Sequence, residues 1–412
     1  MTPETILHII LIILVADFAL EKALDILNLQ HSKKGIPKEL EGLYDQAEYQ
    51  KSVEYQKANM NLGFFSSIFN LVIILTVLSS GFFGTINAWL ESNISSPLWV
   101  SLAFFGLIFI ISDVINLPFS IYKTFIIEQK FGFNKTTPGI FIGDKIKGLF
   151  LTVIIGGIVA GTLLYLILTI GQSFWIYFWI FISVLMVLVN MFYTSLIVPM
   201  FNKLTPLESG ELRDAIESYS KKTGFALDNI FIIDGSKRST KANAYFSGIG
   251  KKKKIVLYDT LIANHSTEEL VAVLAHEVGH FKKKHILSGL ALSIFQTGII
   301  LYILSWFVFN PDISRALGSS AWAVHLNLIA FGILFSPISE IIGLVMNLLS
   351  RKNEYEADGY AAETYGARPL MEALKKLSVK NLSNLNPHPA YVFMHYSHPP
   401  LYQRLAHLRK YE

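Results

Sequence analysis

Seven windows of about 20 apolar residues, near 5–26, 61–83, 98–118, 148–170, 174–198, 286–308 and 322–349, leave this chain few ways to fold outside a bilayer. A hydrocarbon core roughly 30 Å thick is crossed by a helix of that length at about 1.5 Å per residue. Composition agrees: 52% of the 412 residues are hydrophobic and only 16% are charged, too apolar for an ordinary soluble protein. The chain has no cysteine, which excludes disulfides, thiolate metal ligands and a cysteine nucleophile. The N-terminal stretch lacks a basic n-region and a small-residue cleavage site, so it reads as a retained span rather than a signal peptide.

Charge decides the orientation. The loop 27–60 carries Lys33, Lys34, Lys38, Lys51 and Lys57, and the loop 119–147 carries Lys123, Lys130, Lys135, Lys145 and Lys147. The loop 84–97 and the short "GQSF" turn carry no Lys or Arg, 309–321 has only Arg315, and 199–285 is strongly basic. Every basic loop falls on one side, as the positive-inside rule requires. The N-terminus is therefore expected outside, with 199–285 and 350–412 cytoplasmic. Several spans carry polar groups: Asp113, Asn116, Asn190, Gln296 and Glu340. These either join helices or line a hydrated interior, and as a set they favour the interior.

Residues 1–198 thus hold five spans with their loops, and 199–285 a soluble domain. Residues 286–349 hold two further spans, and 350–412 a helical C-terminal part. In the soluble part, "SGELRDAIESYSKKTG" has helical periodicity and stops at Gly224. Strand-like runs follow at 229–235, 243–248 and 254–259. Ser266 with Glu269 three residues later is a capping box, so a helix is expected to begin there.

That helix carries "HEVGH". His276 and His280, four apart, share one face and can direct ring nitrogens at one zinc ion. Glu277 stands beside them as the general base for a water that zinc makes acidic. Gly279 and Ala275 keep the surroundings small. Catalytic zinc usually has three protein ligands, and no further His continues the motif, so a carboxylate elsewhere is needed. "SRKNEYEADGYAAETYG" offers Glu354, Glu356 and Asp358; Glu354 and Asp358 share a face while Glu356 points away. Glu354 is read as the ligand, and Asp358 as support for a ligand histidine or as a proton relay. Topology favours this pairing. The sixth and seventh spans are antiparallel, so residues just before the one and just after the other emerge on the same face, within about 10 Å of the membrane boundary. The zinc helix is expected to run continuously into the sixth span.

With these residues in view, the chain resembles the integral-membrane CAAX prenyl protease family of zinc metallopeptidases. The similarity runs through "EYQKSVEYQKANMNLGF" (48–64), "EQKFGFNKTTP" (128–138), "PMFNKLTPL" (199–207), "NAYFSG", "HEVGH", "NEYEAD" and "HYSHPPLYQRL" (395–405). The resemblance implies a mostly α fold: a seven-transmembrane-helix bundle enclosing a water-filled chamber, with a cytoplasmic gluzincin-like α+β zinc protease domain. It implies one Zn2+ per chain, held by His276, His280 and Glu354, with Asp358 completing the motif. It makes Asn243, Ala244, Tyr245 and Phe246 an edge strand that pairs with substrate backbone. It makes His398 a donor to the tetrahedral oxyanion, with Arg404 as a buttress.

The expected activity is hydrolysis of peptide bonds in a peptide or protein substrate, lipidated or membrane-embedded, at the cytoplasmic face. The chain lacks a long lumenal insert and ends in "LRKYE" with no evident retrieval signal. It is compact and cysteine-free, so it reads as prokaryotic and belongs in the plasma (inner) membrane. Prenylated peptides are then in doubt as the natural substrate. Two rivals are a membrane-protein quality-control protease of the same chemistry and a non-catalytic zinc-binding scaffold. The lysine runs at 251–254 and 282–284 read as solvated or headgroup-facing charge, and nothing supports a nucleic-acid partner.

Overall fold

The computed structural model describes residues 1–42, 45–224, 230–247 and 254–412. Asn229 and Gly248 of the expected strands, and Lys251, Lys252 and Lys253 of the basic run, lie outside the described residues. Long apolar helices dominate the first half: α1 (Pro3–Ser32), α2 (Gln46–Ser79), α3 (Phe82–Asn93), α4 (Pro97–Tyr122), α5 (Pro138–Leu151), α6 (Gly157–Ile170), α7 (Phe174–Phe192) and the short α8 (Val198–Phe201). The second half adds α9 to α11, described below. Beyond them come α12 (His285–Phe307), α13 (Pro311–Ala316), α14 (Val324–Leu334), α15 (Ser336–Thr364), α16 (Ala367–Lys380), α17 (Pro389–His395) and α18 (Leu401–Leu408).

Among the described residues, four helical runs are long and apolar enough to cross a membrane: Gln46–Ser79, Pro97–Glu128, Pro138–Phe201 and His285–Phe307; one bent pair adds a fifth. Pro138–Phe201 contains two of the expected windows and is interrupted at Gly171 (φ 70°). Leu164 and Ile167 of α6 there pack with Phe174 and Phe178 of α7. The first window, 5–26, lies in α1 beside Asp17, Glu21, Lys22 and Asp25, and α1 is not among these runs. Gly298 lets α7 approach α12, since a Cβ there would sit 3.0 Å from the Trp179 indole nitrogen.

Three departures from the sequence reading matter. The segment between the second and third windows is a helix, α3, whose Phe83, Ile86 and Leu90 face the bundle at helical spacing. It sits so close to the 317–319 turn that a Cβ on Gly84 would lie 1.9 Å from the Gly318 carbonyl oxygen. The seventh window is bent by 52° between α14 and α15, where Pro337 in the first turn of α15 removes a backbone donor. The zinc helix is not continuous with the sixth span: α11 ends at Lys282, and α12 begins after Lys284, which holds a left-handed φ of 60°. It is α15 that runs unbroken from the span into the site, because a helix needs no apolar residues to continue past the lipid.

Among the described residues, 199–285 hold a four-stranded sheet. Its strands β1 (Leu204–Pro206), β2 (Ile230–Ile233), β3 (Ala244–Ser247) and β4 (Lys254–Tyr258) lie in the order β1-β2-β4-β3. β2 and β4 are parallel, and β3 pairs antiparallel with β4 in the register Ala244↔Leu257 to Ser247↔Lys254, leaving β3 at an edge. α9 (Glu211–Thr223) ends where expected, with Gly224 in the left-handed conformation (φ 60°). After α10 (Asp259–Ile262) comes α11 (Thr267–Lys282), opened by the full Ser266–Glu269 capping box, an arrangement worth about 1 kcal/mol. Ile255 and Leu257 of β4 pack against Leu270, Val271, Leu274 and Val278 of α11. The same core takes in Leu40, Tyr49 and Val53 from the N-terminal loop and α2, and Leu370, Leu405 and Leu408 from the C-terminal helices. Residues 199–285 and 350–412 therefore build one shared core around α11.

Candidate active site

The site is assembled where α11 crosses α15. Gly279 makes the crossing close: a Cβ there would lie 3.0 Å from Ala357 Cα and 3.1 Å from its carbonyl oxygen. Gly279→Val is therefore expected to push the two helices apart, at a cost of about 1–3 kcal/mol. Lower thermal stability and a lower bound-metal content of the purified protein would together report it.

On the facing surfaces, His276 Nε2 and His280 Nε2 lie 3.1 Å apart. Glu354 closes the triangle, with Oε1 3.2 Å from His280 Nε2 and Oε2 3.5 Å from His276 Nε2. Two imidazole nitrogens and a carboxylate oxygen, all within 4.8 Å of one another, fit a divalent cation such as zinc with a position left open. Glu354 is 3% exposed, and its Oε2 is buried between His276 Nε2 and Arg404 Nη1. Asp358, fully buried, accepts from His276 Nδ1 at 2.9 Å, which turns the Nε2 lone pair toward the shared point.

Electrostatics point the same way. Burial pulls the His276 imidazole down, but hydrogen bonds to Asp358 and Glu354 outweigh it and hold the group up at about 9. The carboxylates thus stabilise positive charge where the cation belongs. Burial pushes Glu354 up, yet His276, His280 and Arg404 hold it well below the usual carboxylate range. Arg404 of α18, 9% exposed, donates from Nε to Asp358 Oδ2 at 2.8 Å, and its Nη1 stands 3.3 Å from Glu354 Oε2. Burial pushes the Glu277 carboxyl up, which suits a group that must accept a proton near neutral pH.

These groups open onto a cavity of about 380 Å³ lined by His276, Glu277 and His280 of α11, Glu354 of α15, His398 and Arg404, and by Asn243, Ala244, Tyr245 and Phe246 at and before the edge strand β3. His398, more than half exposed, places Nε2 3.3 Å from Glu354 Oε1. The expected metal, base, oxyanion and edge-strand residues thus line one cavity, and Asp358 stands behind His276. A second cavity of about 610 Å³ lies between α7 and α12, walled by Ile182, Leu185, Met186 and Leu290, and shares Tyr245, Phe246 and Ile286 with the first.

The sequence reading missed some groups. Glu356, set aside as pointing away, reaches His285 Nε2 at 3.1 Å, and His285 Nδ1 meets His280 Nδ1 at 3.0 Å. The signal was a third histidine five residues after the motif. The two stretches 48–64 and 128–138 also converge on the chain entering β3. Tyr55 donates to Glu128 at 2.6 Å, Lys241 donates to the other oxygen of Glu128 at 3.0 Å, and Asn381 pairs with both backbone groups of Ala242. No local periodicity links positions so far apart in the chain.

Known proteins resemble this chain over nearly its whole length. Residues 25–203 match the family described as CAAX prenyl protease N-terminal, five membrane helices, and residues 206–412 match peptidase family M48. CAAX prenyl protease 1 of Saccharomyces cerevisiae is 37% identical over 426 residues, 96% of this chain and 93% of the relative. The CAAX prenyl protease 1 homolog of Homo sapiens is 32% identical over 91% of this chain and 88% of its own length. The crystal structure of S. mikatae Ste24p superposes with a TM-score of 0.93 at 36% identity, covering 98% of this chain and 99% of that one. The chain therefore belongs to the integral-membrane CAAX prenyl protease family of zinc metallopeptidases, and it is a multi-pass membrane metalloendopeptidase.

Proposed function

We propose that the chain cuts peptide bonds with one Zn2+ held by His276, His280 and Glu354, in a substrate laid along β3. The observation that carries this reading is the convergence of both Nε2 atoms and Glu354 on one point of a cavity that the strand β3 also lines. Zinc, when bound, supplies Lewis acidity to the scissile carbonyl and to the attacking water. Glu277 takes the proton of that water and hands it to the departing amine. His398 donates to the oxyanion. Asp358 holds His276 in the tautomer that keeps Nε2 free, and Arg404 balances the charge of Asp358 and Glu354. Substrate backbone from Asn243 to Phe246 adds a strand to the sheet, which fixes the scissile bond over the metal-holding groups.

For the membrane part, we propose seven spans around a hydrated chamber, with the N-terminus outside and the site and C-terminus on the cytoplasmic side of a plasma membrane. The alternation of basic and uncharged loops supports the orientation. The polar pairs Lys145–Asp113 at 2.7 Å and Asn70–Asn116 at 3.0 Å support a polar interior, since lipid penalises such groups. The apolar cavity between α7 and α12, which shares Tyr245, Phe246 and Ile286 with the site, favours a substrate that carries a lipid or long apolar side chain. CAAX prenyl proteases act, by their name, on prenylated C-terminal motifs, and a farnesylated peptide is the substrate to try first.

The purified protein, incubated with a farnesylated C-terminal peptide and an unmodified control, is expected to cut the farnesylated one faster. A chelator should stop both reactions, and added zinc should restore them. Equal rates on the two peptides would remove the lipid from the reading and favour a quality-control protease. Hydrolysis that survives complete metal removal would overturn the mechanism.

A further inference from the structure

We propose that His285 and Glu356 form a hydrogen-bond relay that fixes the second histidine of the metal centre, so that each imidazole is oriented by its own carboxylate. The proposal rests on the reading of His276, His280 and Glu354 as the metal-holding set.

The argument begins with proton placement. His280 can turn the Nε2 lone pair to a cation only if its proton sits on Nδ1. That nitrogen lies 3.0 Å from His285 Nδ1, which must then accept. A neutral imidazole that accepts at Nδ1 carries its proton on Nε2, and His285 Nε2 lies 3.1 Å from Glu356 Oε2, a group that only accepts. One arrangement of protons satisfies all three side chains, and it leaves His280 Nε2 bare toward the metal-holding groups. Asp358 does the same for His276 directly, at 2.9 Å.

Backbone geometry supports the same chain. Lys284 is one of only two non-glycine residues with positive φ among the described residues, and it holds φ 60°, ψ 26° in the break between α11 and α12. Such a conformation brings Cβ close to the following carbonyl oxygen and is unfavourable for a residue with a side chain. Its effect is to start α12 at His285, whose ring is buried and meets the His280 ring edge-on with centroids 5.2 Å apart. Glu354 and Glu356, two residues apart, leave α15 on nearly opposite sides. Glu354 reaches His280 and Glu356 reaches His285, so one helix serves both rings. The other oxygen of Glu356 lies 3.7 Å from the exposed Lys352.

The relay predicts slower metal loss than a bare histidine would allow, by the 10–100-fold typical of groups that orient metal ligands. Zinc-loaded protein in detergent is mixed with a chromogenic chelator, and release is timed for the parent, Glu356→Leu, Glu356→Gln, Lys352→Met and His276→Ala. Glu356→Leu is expected to release zinc at least about 10-fold faster, with Glu356→Gln between it and the parent and Lys352→Met unchanged. Thermal unfolding of the metal-free forms separates positioning from folding: Glu356 is 40% exposed in its side chain, so the metal-free melting temperature should not move. Release from Glu356→Leu at the parent rate, or a metal-free melting temperature that falls in step with retention, overturns the relay. Full zinc retention by His276→Ala would instead overturn the ligand set beneath it.

Discussion

Glu277→Ala is expected to lower peptide hydrolysis by roughly 10²–10⁴-fold while one metal ion per chain remains bound. The two effects separate because Glu277 lines the cavity but is not one of the three groups that converge on the metal position. Its removal takes away the proton acceptor and leaves His276, His280 and Glu354 where they are. Metal content by elemental analysis and turnover of a quenched fluorescent peptide measure the two halves independently. A fully active variant would refute the assignment of the base, and an inactive variant that has also lost its metal would place Glu277 among the ligands.

Arg404→Met is expected to have the largest effect on stability. The guanidinium contacts Asp358 through two nitrogens and stands 3.3 Å from Glu354, and all three residues are at most 9% exposed. Removing it leaves two buried carboxylates without their cationic partner, which costs about 3–5 kcal/mol when one partner of a buried pair is lost. Thermal unfolding of the solubilised protein, followed by tryptophan emission, should show the drop. The double variant with Asp358→Asn should recover part of it, because the charge left unpaired is then also gone. Additive losses in that cycle would mean that the two side chains do not act as a pair.

What the sequence disclosed follows from which forces are local. The capping box at Ser266, the glycine stop at Gly224 and the histidine pair on one helix face depend on residues within a turn or two, and the structure reproduces each. The second to sixth apolar windows were legible because a bilayer imposes a fixed length, and they fall in helical runs long and apolar enough to cross one. The helix α3 was not, since Phe83, Ile86 and Leu90 look like the tail of the preceding window when its burial partners near 317 are unknown. The boundary after residue 349 marks a change of solvent rather than of backbone, and α15 passes through it unbroken. Glu356 was set aside because helical phase shows which residues share a face, yet says nothing of a histidine arriving from another helix. His398 and Arg404 came only through resemblance, for no periodicity ties position 404 to position 276.

The bend at Phe335 gives α15 a mechanical role. Glu354 lies 19 residues beyond it on one stiff rod, so its Cα is about 28 Å from the pivot. Over that radius, a swing of about 2° carries the carboxylate through about 1 Å, a misplacement that can lower a rate about 10²-fold. His276 and His280 sit on α11, which meets α15 at Gly279, so a swing that slides one helix past the other would open the triangle. Hydrophobic mismatch tilts spanning helices, and any tilt of α15 about this bend would be felt most at its far end, where Glu354 sits.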